Sequence, residues 1–295
     1  MNPLIGDRKT LLILVGPALL VYTAFTLIPI VWSFGYIFTD GNAITGFTFT
    51  GIDNFVELFR DAKVRDALFF SLKYGVVMTI GQVTLGFLLS LAYVFLLRRS
   101  SSFVRTLVFF PVVLPTVAVA LLFQQLFAIA PADGLVNSFV HLLGGDSIDW
   151  LGNSTSAFLV LLTMDLWRSM GFYGVLLYAG ILDIPEEIIE SARIDGSGGL
   201  RLVRHIVLPL SMPVLLSALV LSINGTLKVF DSVIALTNGG PGNTTTPLTV
   251  YMFQTSFQYG DYGYGSALAF LLTLICLAAT IFIVRANRPD MKKVR

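Results

Sequence analysis

The chain has 295 residues, of which 55% are hydrophobic and 13% are charged, and its formal net charge is +1. Its mean hydropathy of +0.81 lies far outside the range of soluble domains, which excludes an ordinary soluble enzyme or binding module. The nearly neutral charge gives no reason to expect a nucleic-acid partner. The single cysteine, Cys276, excludes a disulfide framework and a thiolate metal site. The sequence therefore predicts an integral protein of the lipid bilayer.

Six apolar stretches are long enough to cross a membrane as helices, because about 20 residues span its hydrocarbon core of roughly 30 Å. They lie at residues 10–34, 71–97, 104–129, 157–182, 206–230 and 265–284. They predict an all-α polytopic membrane protein with six transmembrane helices, forming one domain over residues 1–295. The first stretch follows Arg8 and Lys9 and has one alternative, a secretory signal. Its length, together with Pro17 and Pro29, favours a membrane span instead.

Basic residues in the connections set the orientation, because Lys and Arg are retained on the cytoplasmic side of a membrane. They cluster at both ends of the chain, between the second and third stretches, and between the fourth and fifth. These residues are Arg8, Lys9, Arg98, Arg99, Arg105, Arg193, Arg201, Arg204, Arg285, Arg288, Lys292, Lys293 and Arg295. Residues 131–156 and 231–264 contain no Lys or Arg and are expected outside. Both termini are therefore expected in the cytoplasm.

The first outer connection, residues 35–70, mixes three basic residues with five acidic ones, and the alternation of spans still places it outside. Within "NFVELFRDAKVRDALFFSL" the apolar residues Phe55, Leu58, Phe59 and Val64 recur at roughly helical spacing. This pattern predicts an amphipathic helix that lies at the outer interface before the second span.

The stretch "EEIIESARIDGSGGLRLVRHIVLP" interrupts the apolar sequence with charged residues and glycines. Acidic residues after Pro185 favour a helix start, Asp195-Gly196 favours its end, and Ser197 can cap a second helix. Two short helices around a glycine turn bury little surface by themselves, so this projection is suited to docking. The alternative is a solvated hairpin whose charges only enforce topology.

The same stretch resembles the "EAA" coupling loop of ABC-importer permease subunits. The matching residues are Glu190, Ser191, Ala192, Asp195, Gly196, Ile206, Leu208 and Pro209. The resemblance implies the transmembrane domain of a type I ABC importer, in which residues 185–209 form coupling helices that contact a separate ATPase. It further implies a second permease subunit in a heterodimer and two ATP-binding subunits. ATP and Mg would then be bound by the partner ATPase, and no cofactor by this chain.

A second signature lies in the last outer connection. "LTNGGP", followed by "TPLTVYMFQTSF", resembles the carbohydrate-uptake branch of these permeases, specifically the maltose-type first subunit. The resemblance implies an extracytoplasmic sugar-binding protein as partner and a place in the prokaryotic cytoplasmic membrane. From the residues alone this is an ordered outer loop, with glycines and Pro241 for the turn and a threonine-rich run that offers polar surface.

Candidate sugar contacts lie in the third, fourth and fifth spans, because neutral sugars are bound by hydrogen bonds and by aromatic faces. Asp165 and Arg168 are three residues apart on one helical face, so they form either a structural ion pair or part of the translocation path. By the resemblance, the positions that contact sugar are Thr116, Asp165, Arg168, Ser169, Phe172, Ser222 and Thr226.

These features predict a non-catalytic permease subunit of an ATP-driven importer for a di- or oligosaccharide, working by alternating access. Arg168 leaves open a permease for another solute, such as glycerol phosphate or an amino acid. A membrane-embedded enzyme is disfavoured because the two histidines, His141 and His205, both lie in connections and far apart. An ion-coupled carrier is disfavoured because it would need more ionisable groups within its spans.

Overall fold

The computed structural model describes residues 8–42, 44–97, 100–129 and 133–286. Helix accounts for 77% of the structure, as the all-α prediction requires. The chain divides into two compact units. The first comprises the residues up to Val64 together with Tyr251–Leu271, and the second comprises Arg65–Val250 together with the residues from Leu272 onward. Six basic residues used to predict orientation lie outside the described residues: Arg98, Arg99, Arg288, Lys292, Lys293 and Arg295.

The elements follow one another along the chain with four short π-helical turns between helices, at Thr23–Leu27, Ala92–Leu96, Val203–Val207 and Gln254–Gln258. The strands are β1 (Thr39–Asn42) and β2 (Gly46–Phe49). The helices are α1 (Arg8–Tyr22), α2 (Ile28–Tyr36), α3 (Asp53–Arg60), α4 (Ala62–Leu91), α5 (Ser101–Val113), α6 (Thr116–Leu126), α7 (Leu135–Leu142), α8 (Ser154–Leu182), α9 (Glu186–Ile194), α10 (Gly199–Leu202), α11 (Leu208–Leu210), α12 (Met212–Leu227), α13 (Asp231–Leu236), α14 (Leu248–Phe253) and α15 (Tyr262–Ala286).

In the first unit, α1 and α2 form one continuous helical rod. Its stretch Leu12–Tyr36 is apolar and has no buried residues, as expected of a helix that faces lipid or another subunit. The following β1 and β2 pair as an antiparallel hairpin, which the sequence analysis did not predict. The buried Asn54 side chain of α3 donates hydrogen bonds to the carbonyls of Ile37 and Thr39 at 2.7 and 2.9 Å. These bonds attach α3 to the end of α2 and the start of the hairpin.

The outer connection departs from its predicted boundaries. The helix expected across the segment that begins at Asn54 is broken at Asp61, where ψ is 114°. The Asp61 carboxylate accepts a hydrogen bond at 2.8 Å from the backbone N–H of Lys63, which caps the start of α4. The helix containing the second predicted span therefore starts at Ala62, earlier than the expected residue 71.

Two predicted spans are bent rather than straight. Helices α5 and α6 replace the span predicted at residues 104–129, and they meet at an angle of 94°. The cause is Pro115, since a proline disfavours helical geometry in the residue before it, and Leu114 is extended with ψ 138°. Helical segments Gly199–Leu210 and Met212–Leu227 likewise meet at 71°, within the span predicted at residues 206–230.

Three helices of the described chain are long and apolar enough to cross a membrane: Leu12–Tyr36, Ala62–Leu96 and Tyr262–Ala286. The number rises to five if each bent pair counts as one span. Helix α8 is not among them, although its 29 residues at about 1.5 Å each exceed the hydrocarbon thickness. It carries Asp165 and Arg168 in its middle. The six-span arrangement with cytoplasmic termini stays a prediction.

Close packing of α4, α5 and α8 organises the second unit. A Cβ atom added to Gly86 of α4 would lie 2.6 Å from the Cβ of Tyr173 on α8, so only glycine fits there without displacement. Gly171 of α8 similarly faces the backbone of Val108 on α5. Small residues let helices approach closely, which is a common way of packing membrane helices. This packing brings the polar residues of α8 against α4.

Candidate functional site: a polar cavity and a docking segment

A cavity of about 340 Å³ lies within the second unit, between α4, α6, α8, α12 and the segment that leads into α13. All seven residues predicted to contact sugar line it. They are Thr116, Asp165, Arg168, Ser169, Phe172, Ser222 and Thr226. The structure therefore brings together residues from three predicted spans, as far apart in the chain as Thr116 and Thr226.

The seven residues occupy two layers of the wall. Four of them retain exposed surface: Thr116, Arg168, Ser169 and Phe172. The Phe172 ring is the most open of the four, with 40% of its surface exposed. Asp165, Ser222 and Thr226 are buried, with 4%, 0% and 6% exposed. In this conformation the first group can meet a ligand, and the second group supports it.

Asp165 is the centre of the buried layer. Its Oδ2 accepts a hydrogen bond from the hydroxyl of Tyr74 on α4. Its Oδ1 lies 3.7 Å from Nε of Arg168, one turn along the same helix, an ion pair that is too long for a good hydrogen bond. The Asp165 Oδ1 and Arg168 Nε atoms are buried without a hydrogen-bond partner in the described structure. The ion pair is therefore present and both residues also line the cavity, while their place on the translocation path stays a prediction.

A chain of hydrogen bonds joins α4, α8 and α12 behind the cavity. The Gln82 amide donates to Ser169 Oγ at 2.9 Å and accepts from Ser222 Oγ at 2.6 Å. Ser222 Oγ also lies 3.2 Å from Thr79 Oγ1. Thr226 donates to the carbonyl of Ser222 at 2.9 Å. Buried polar groups that are paired in this way fix the relative positions of the helices that carry them.

Sequence reasoning missed the contribution of α4. Tyr74, Met78 and Gln82 line the cavity at four-residue intervals, the spacing of one helical face. A signal was present, because Tyr74 and Gln82 are two polar residues separated by two turns, with Thr79 between them, in a predominantly apolar run. Lys228 and Asp231, beyond the end of α12, also line the cavity and add one charge of each sign.

The 185–209 segment contains two helices separated by a glycine turn. Helix α9 ends where Gly196 adopts φ +83°, a left-handed conformation that favours glycine. The N–H groups of Ser197 and Gly196 donate to the carbonyls of Ala192 and Arg193 at 2.8 and 3.0 Å, a Schellman motif. The prediction that Ser197 caps the second helix is wrong, since Gly198 occupies the cap of α10 and no side chain bonds there.

The predicted ATPase-coupling residues divide between a buried and an exposed side. Ala192 is buried with Leu202 and Val207, and Ile206 and Leu208 are partly buried. The exposed members of the motif are Glu190, Ser191, Asp195, Gly196 and Pro209.

Two further apolar residues of this segment lie outside the predicted set of ATPase-coupling residues. Ile194 and Leu200 are 86% and 81% exposed, on either side of the glycine turn. Exposed apolar side chains rimmed by polar residues mark a contact surface. The segment therefore exposes two large apolar side chains beside the exposed polar residues of the motif.

Two of the three consecutive threonines after "LTNGGP" point inward rather than outward. Thr245 and Thr246 are buried, and their hydroxyls donate to the carbonyls of Gly240 and Gly239 at 2.5 and 3.1 Å. The expectation of polar surface therefore holds for the exposed Thr244 and is wrong for Thr245 and Thr246. They hold the glycine turn in place.

In the first unit, Asp61 accepts hydrogen bonds from the hydroxyls of Tyr251 and Tyr264 at 2.5 and 2.9 Å. Burial acts to raise the pKa of this carboxyl, but the hydrogen bonds from Tyr251, the Lys63 backbone and Tyr264 outweigh it and lower the pKa below its usual value. Asp61 is therefore held ionised, and it joins the break between α3 and α4 to the tyrosines of α14 and α15.

Comparison with known proteins identifies the family. Residues 82–293 match the family described as the binding-protein-dependent transport system inner membrane component. Over 266 residues the chain is 34% identical to the probable ABC transporter permease protein YurN of Bacillus subtilis, covering 89% of this chain and 90% of that protein. It is 30% identical over 286 residues to the trehalose/maltose transport system permease protein MalF of Thermococcus litoralis, covering 96% and 95%.

A solved bacterial alginate ABC transporter, in complex with an alginate pentasaccharide-bound periplasmic protein, contains a chain of the same fold. The TM-score is 0.83 at 21% identity, over 94% of this chain and 93% of that one. The relatives are transport permease subunits, and the apolar helices described above make this chain a multi-pass membrane protein. It belongs to the family of binding-protein-dependent transport system inner membrane components.

Proposed function

We propose that this chain is one of two transmembrane subunits of an ATP-driven importer that moves a di- or oligosaccharide. The observation that carries the proposal is the cavity in which Thr116, Arg168, Ser169 and Phe172 meet. The names of the relatives support it, since the Thermococcus litoralis protein belongs to a trehalose/maltose transport system and the solved transporter handles alginate.

The chemistry of the cavity suits a sugar. Its volume of about 340 Å³ falls within the range typical of small-molecule sites. Arg168 and Thr116 can donate hydrogen bonds, Ser169 can accept them, and the open ring of Phe172 offers an apolar face for the C–H side of a pyranose. A sugar needs this combination because each of its rings has polar edges and apolar faces.

The charges of the cavity favour a neutral substrate. Arg168 and Lys228 are balanced by Asp165 and Asp231, all of which line the cavity. One observation favours the second candidate, an anionic solute such as glycerol phosphate, or an amino acid. Arg168 retains exposed surface and lines the cavity, and its guanidinium can bind an anionic group.

The 185–209 segment supplies the proposed link to ATP. In this proposal Glu190, Ser191, Ala192, Asp195, Gly196, Ile206, Leu208 and Pro209 form the ATPase-coupling motif. One of the two ATPase subunits docks on the segment, and the exposed Ile194 and Leu200 add apolar contact. ATP and Mg bind to those partners and not to this chain. Their closure moves the segment, and the spans above it alternate between two states.

The remaining parts of the assembly follow from the same proposal. An extracytoplasmic sugar-binding protein delivers the substrate, and a second permease subunit completes the translocation path. The chain lies in the cytoplasmic membrane of a prokaryote, with six spans and both termini in the cytoplasm. This chain performs no covalent chemistry, and its contribution is to bind and release the sugar on opposite sides.

The test is the ATPase activity of the purified complete transporter with its binding protein. Maltose, trehalose and longer oligosaccharides are added in turn, with glycerol phosphate and amino acids as the competing classes. Stimulation by a di- or oligosaccharide is the expected result. Stimulation by glycerol phosphate or an amino acid alone, with none by any sugar, would contradict the assignment.

A further inference from the structure

The hydroxyl of Ser169 donates its one proton to a hydrogen bond within the chain. Ser169 Oγ lies 2.6 Å from the backbone carbonyl oxygen of Asp165, one turn earlier in α8. A carbonyl oxygen can only accept, so Ser169 must be the donor in this bond. Because a serine hydroxyl has a single proton, every other hydrogen bond that Ser169 makes is one that it accepts.

This constraint fixes the orientation of Gln82. The Gln82 group 2.9 Å from Ser169 Oγ must be the amide nitrogen, because Ser169 has no second proton to donate. The amide oxygen then faces Ser222, whose hydroxyl donates to it at 2.6 Å. Gln82 is 6% exposed and Ser222 is fully buried, so solvent does not compete strongly for these bonds.

We propose that Gln82 of α4 is a positioning residue that holds Ser169 as a hydrogen-bond acceptor toward the cavity, with Ser222 acting through Gln82 rather than on the substrate. The proposal deepens, and rests on, the proposed sugar import. Ser169 retains exposed surface at the cavity, whereas Ser222 has none. Only the remaining lone pair of Ser169 faces a ligand, which must therefore present a hydrogen-bond donor.

This arrangement of Ser169 predicts which ligands can bind it. A sugar hydroxyl satisfies Ser169, but an analogue with fluorine in place of that hydroxyl cannot, because fluorine carries no proton to donate. Without the Gln82 amide, Ser169 is free to turn and direct its own proton into the cavity. Loss of Gln82 should then weaken the discrimination between a hydroxyl and fluorine, and not only the stability of the helix packing.

The experiment measures ATP-driven uptake into vesicles that contain the complete transporter. The probes are maltose or trehalose, whichever wild type imports faster, and its monodeoxyfluoro derivatives, one position at a time. The variants are Gln82→Met, which keeps the length of the side chain, and Ser222→Ala. Gln125→Met on α6 is the matched control, since Gln125 is exposed and lies outside the cavity lining. The same binding protein serves wild type and variants, so its own preference for the parent sugar over a fluorinated derivative affects all of them equally.

In wild type, fluorine at the position facing Ser169 should raise KM about three- to tenfold, the usual effect of one lost hydrogen bond. In Gln82→Met the ratio of KM for the fluorinated sugar to KM for the parent sugar should fall towards one, with a smaller change in kcat. Gln125→Met should keep the wild-type ratio. Ser222→Ala should lower the ratio less, and adding it to Gln82→Met should change nothing further.

Two outcomes separate the proposals. Suppose that wild type imports the sugar and that Gln82→Met keeps the wild-type KM ratios at every fluorinated position. The positioning role proposed for Gln82 is then wrong, while the proposal of sugar import is unaffected. A wild-type transporter that imports no sugar would overturn both. If Gln82→Met fails to assemble, Ser222→Ala decides the question, and unchanged ratios in that variant would count against the proposal.

Discussion

Most buried polar side chains around the cavity are hydrogen-bonded within the chain, whereas the 185–209 segment exposes large apolar side chains. Around the cavity, Tyr74, Gln82 and Ser222 form hydrogen bonds within the chain. In the 185–209 segment, Ile194 and Leu200 remain 86% and 81% exposed. This chain alone shapes the cavity, whereas the segment leaves two large apolar side chains uncovered, as the proposed docking of an ATPase subunit requires. Substitutions in the two regions should therefore fail in different ways.

The largest expected effect is at Gly196. Valine there would have to adopt φ +83° as a β-branched residue, a strain of about 1–3 kcal/mol that the exposed turn can relieve by rearranging. We expect Gly196→Val to abolish sugar-stimulated ATP hydrolysis while the protein still inserts into the membrane. Gly198→Ala is the control, because Gly198 has φ −128° and open space around its Cβ position. Unchanged stimulation in Gly196→Val would refute a coupling role for the turn.

The next effect concerns the exposed apolar pair. Replacing Ile194 and Leu200 by serine removes two side chains that would be buried by a docked ATPase, at about 1.5–3 kcal/mol for each fully buried side chain. We expect at least about a tenfold loss in affinity for the ATPase subunits, measured by titrating them onto the purified permease pair. The exposed Glu187→Ser, on the same segment, should bind normally. Equal affinity for the double variant would show that the pair does not face the partner.

A smaller effect is expected at the cavity itself. Phe172→Ala removes an exposed ring, so it should raise KM for sugar uptake about three- to tenfold and leave ATPase assembly and thermal stability nearly unchanged. Asp165→Ala should impair uptake and also lower the Tm, because it leaves the buried Tyr74 hydroxyl and Arg168 without their partner. Wild-type uptake in both variants would remove α8 from the translocation path.

The smallest effect tests whether the hydrogen bonds from Tyr251 and Tyr264 to Asp61, in the first unit, stabilise the protein. The pKa of Asp61 is lowered in the folded protein, so its contribution is present above the unfolded-state pKa and is lost as pH falls through the folded value. Tyr251→Phe removes one donor and should cost about 1 kcal/mol or less near neutral pH. The difference in Tm from wild type should shrink below about pH 4. A difference that is constant with pH would contradict this role for the Asp61 charge.

The sequence was most informative where a pattern is local. Long apolar runs located the long helices, and Pro185 with Asp195-Gly196 located the first short helix and its glycine turn. The bend at Pro115 was not predicted, although the proline was visible, because apolar length says nothing about the angle between two halves of a run. Strands β1 and β2 were missed because a short hairpin is weakly encoded beside so much helix.

The residues that line the cavity show more clearly what could not be predicted from the sequence. The resemblance placed seven residues on three spans, but it could not show that Ser222 is buried and reaches the cavity wall behind Gln82. Nor could it supply Tyr74 and Gln82, because their role depends on which face of α4 packs against α8. That choice is made by tertiary contacts such as the close approach of Gly86 to Tyr173, which no local sequence pattern encodes.

The most direct test of the account is the uptake of labelled maltose or trehalose into vesicles that hold the complete transporter, with the binding protein outside and ATP only in the compartment that contains the ATPase subunits. The account predicts accumulation above the external concentration that requires both ATP and the binding protein. Uptake that only equilibrates, or that proceeds equally without ATP, would contradict the claim that this chain is the sugar-handling subunit of an ATP-driven importer.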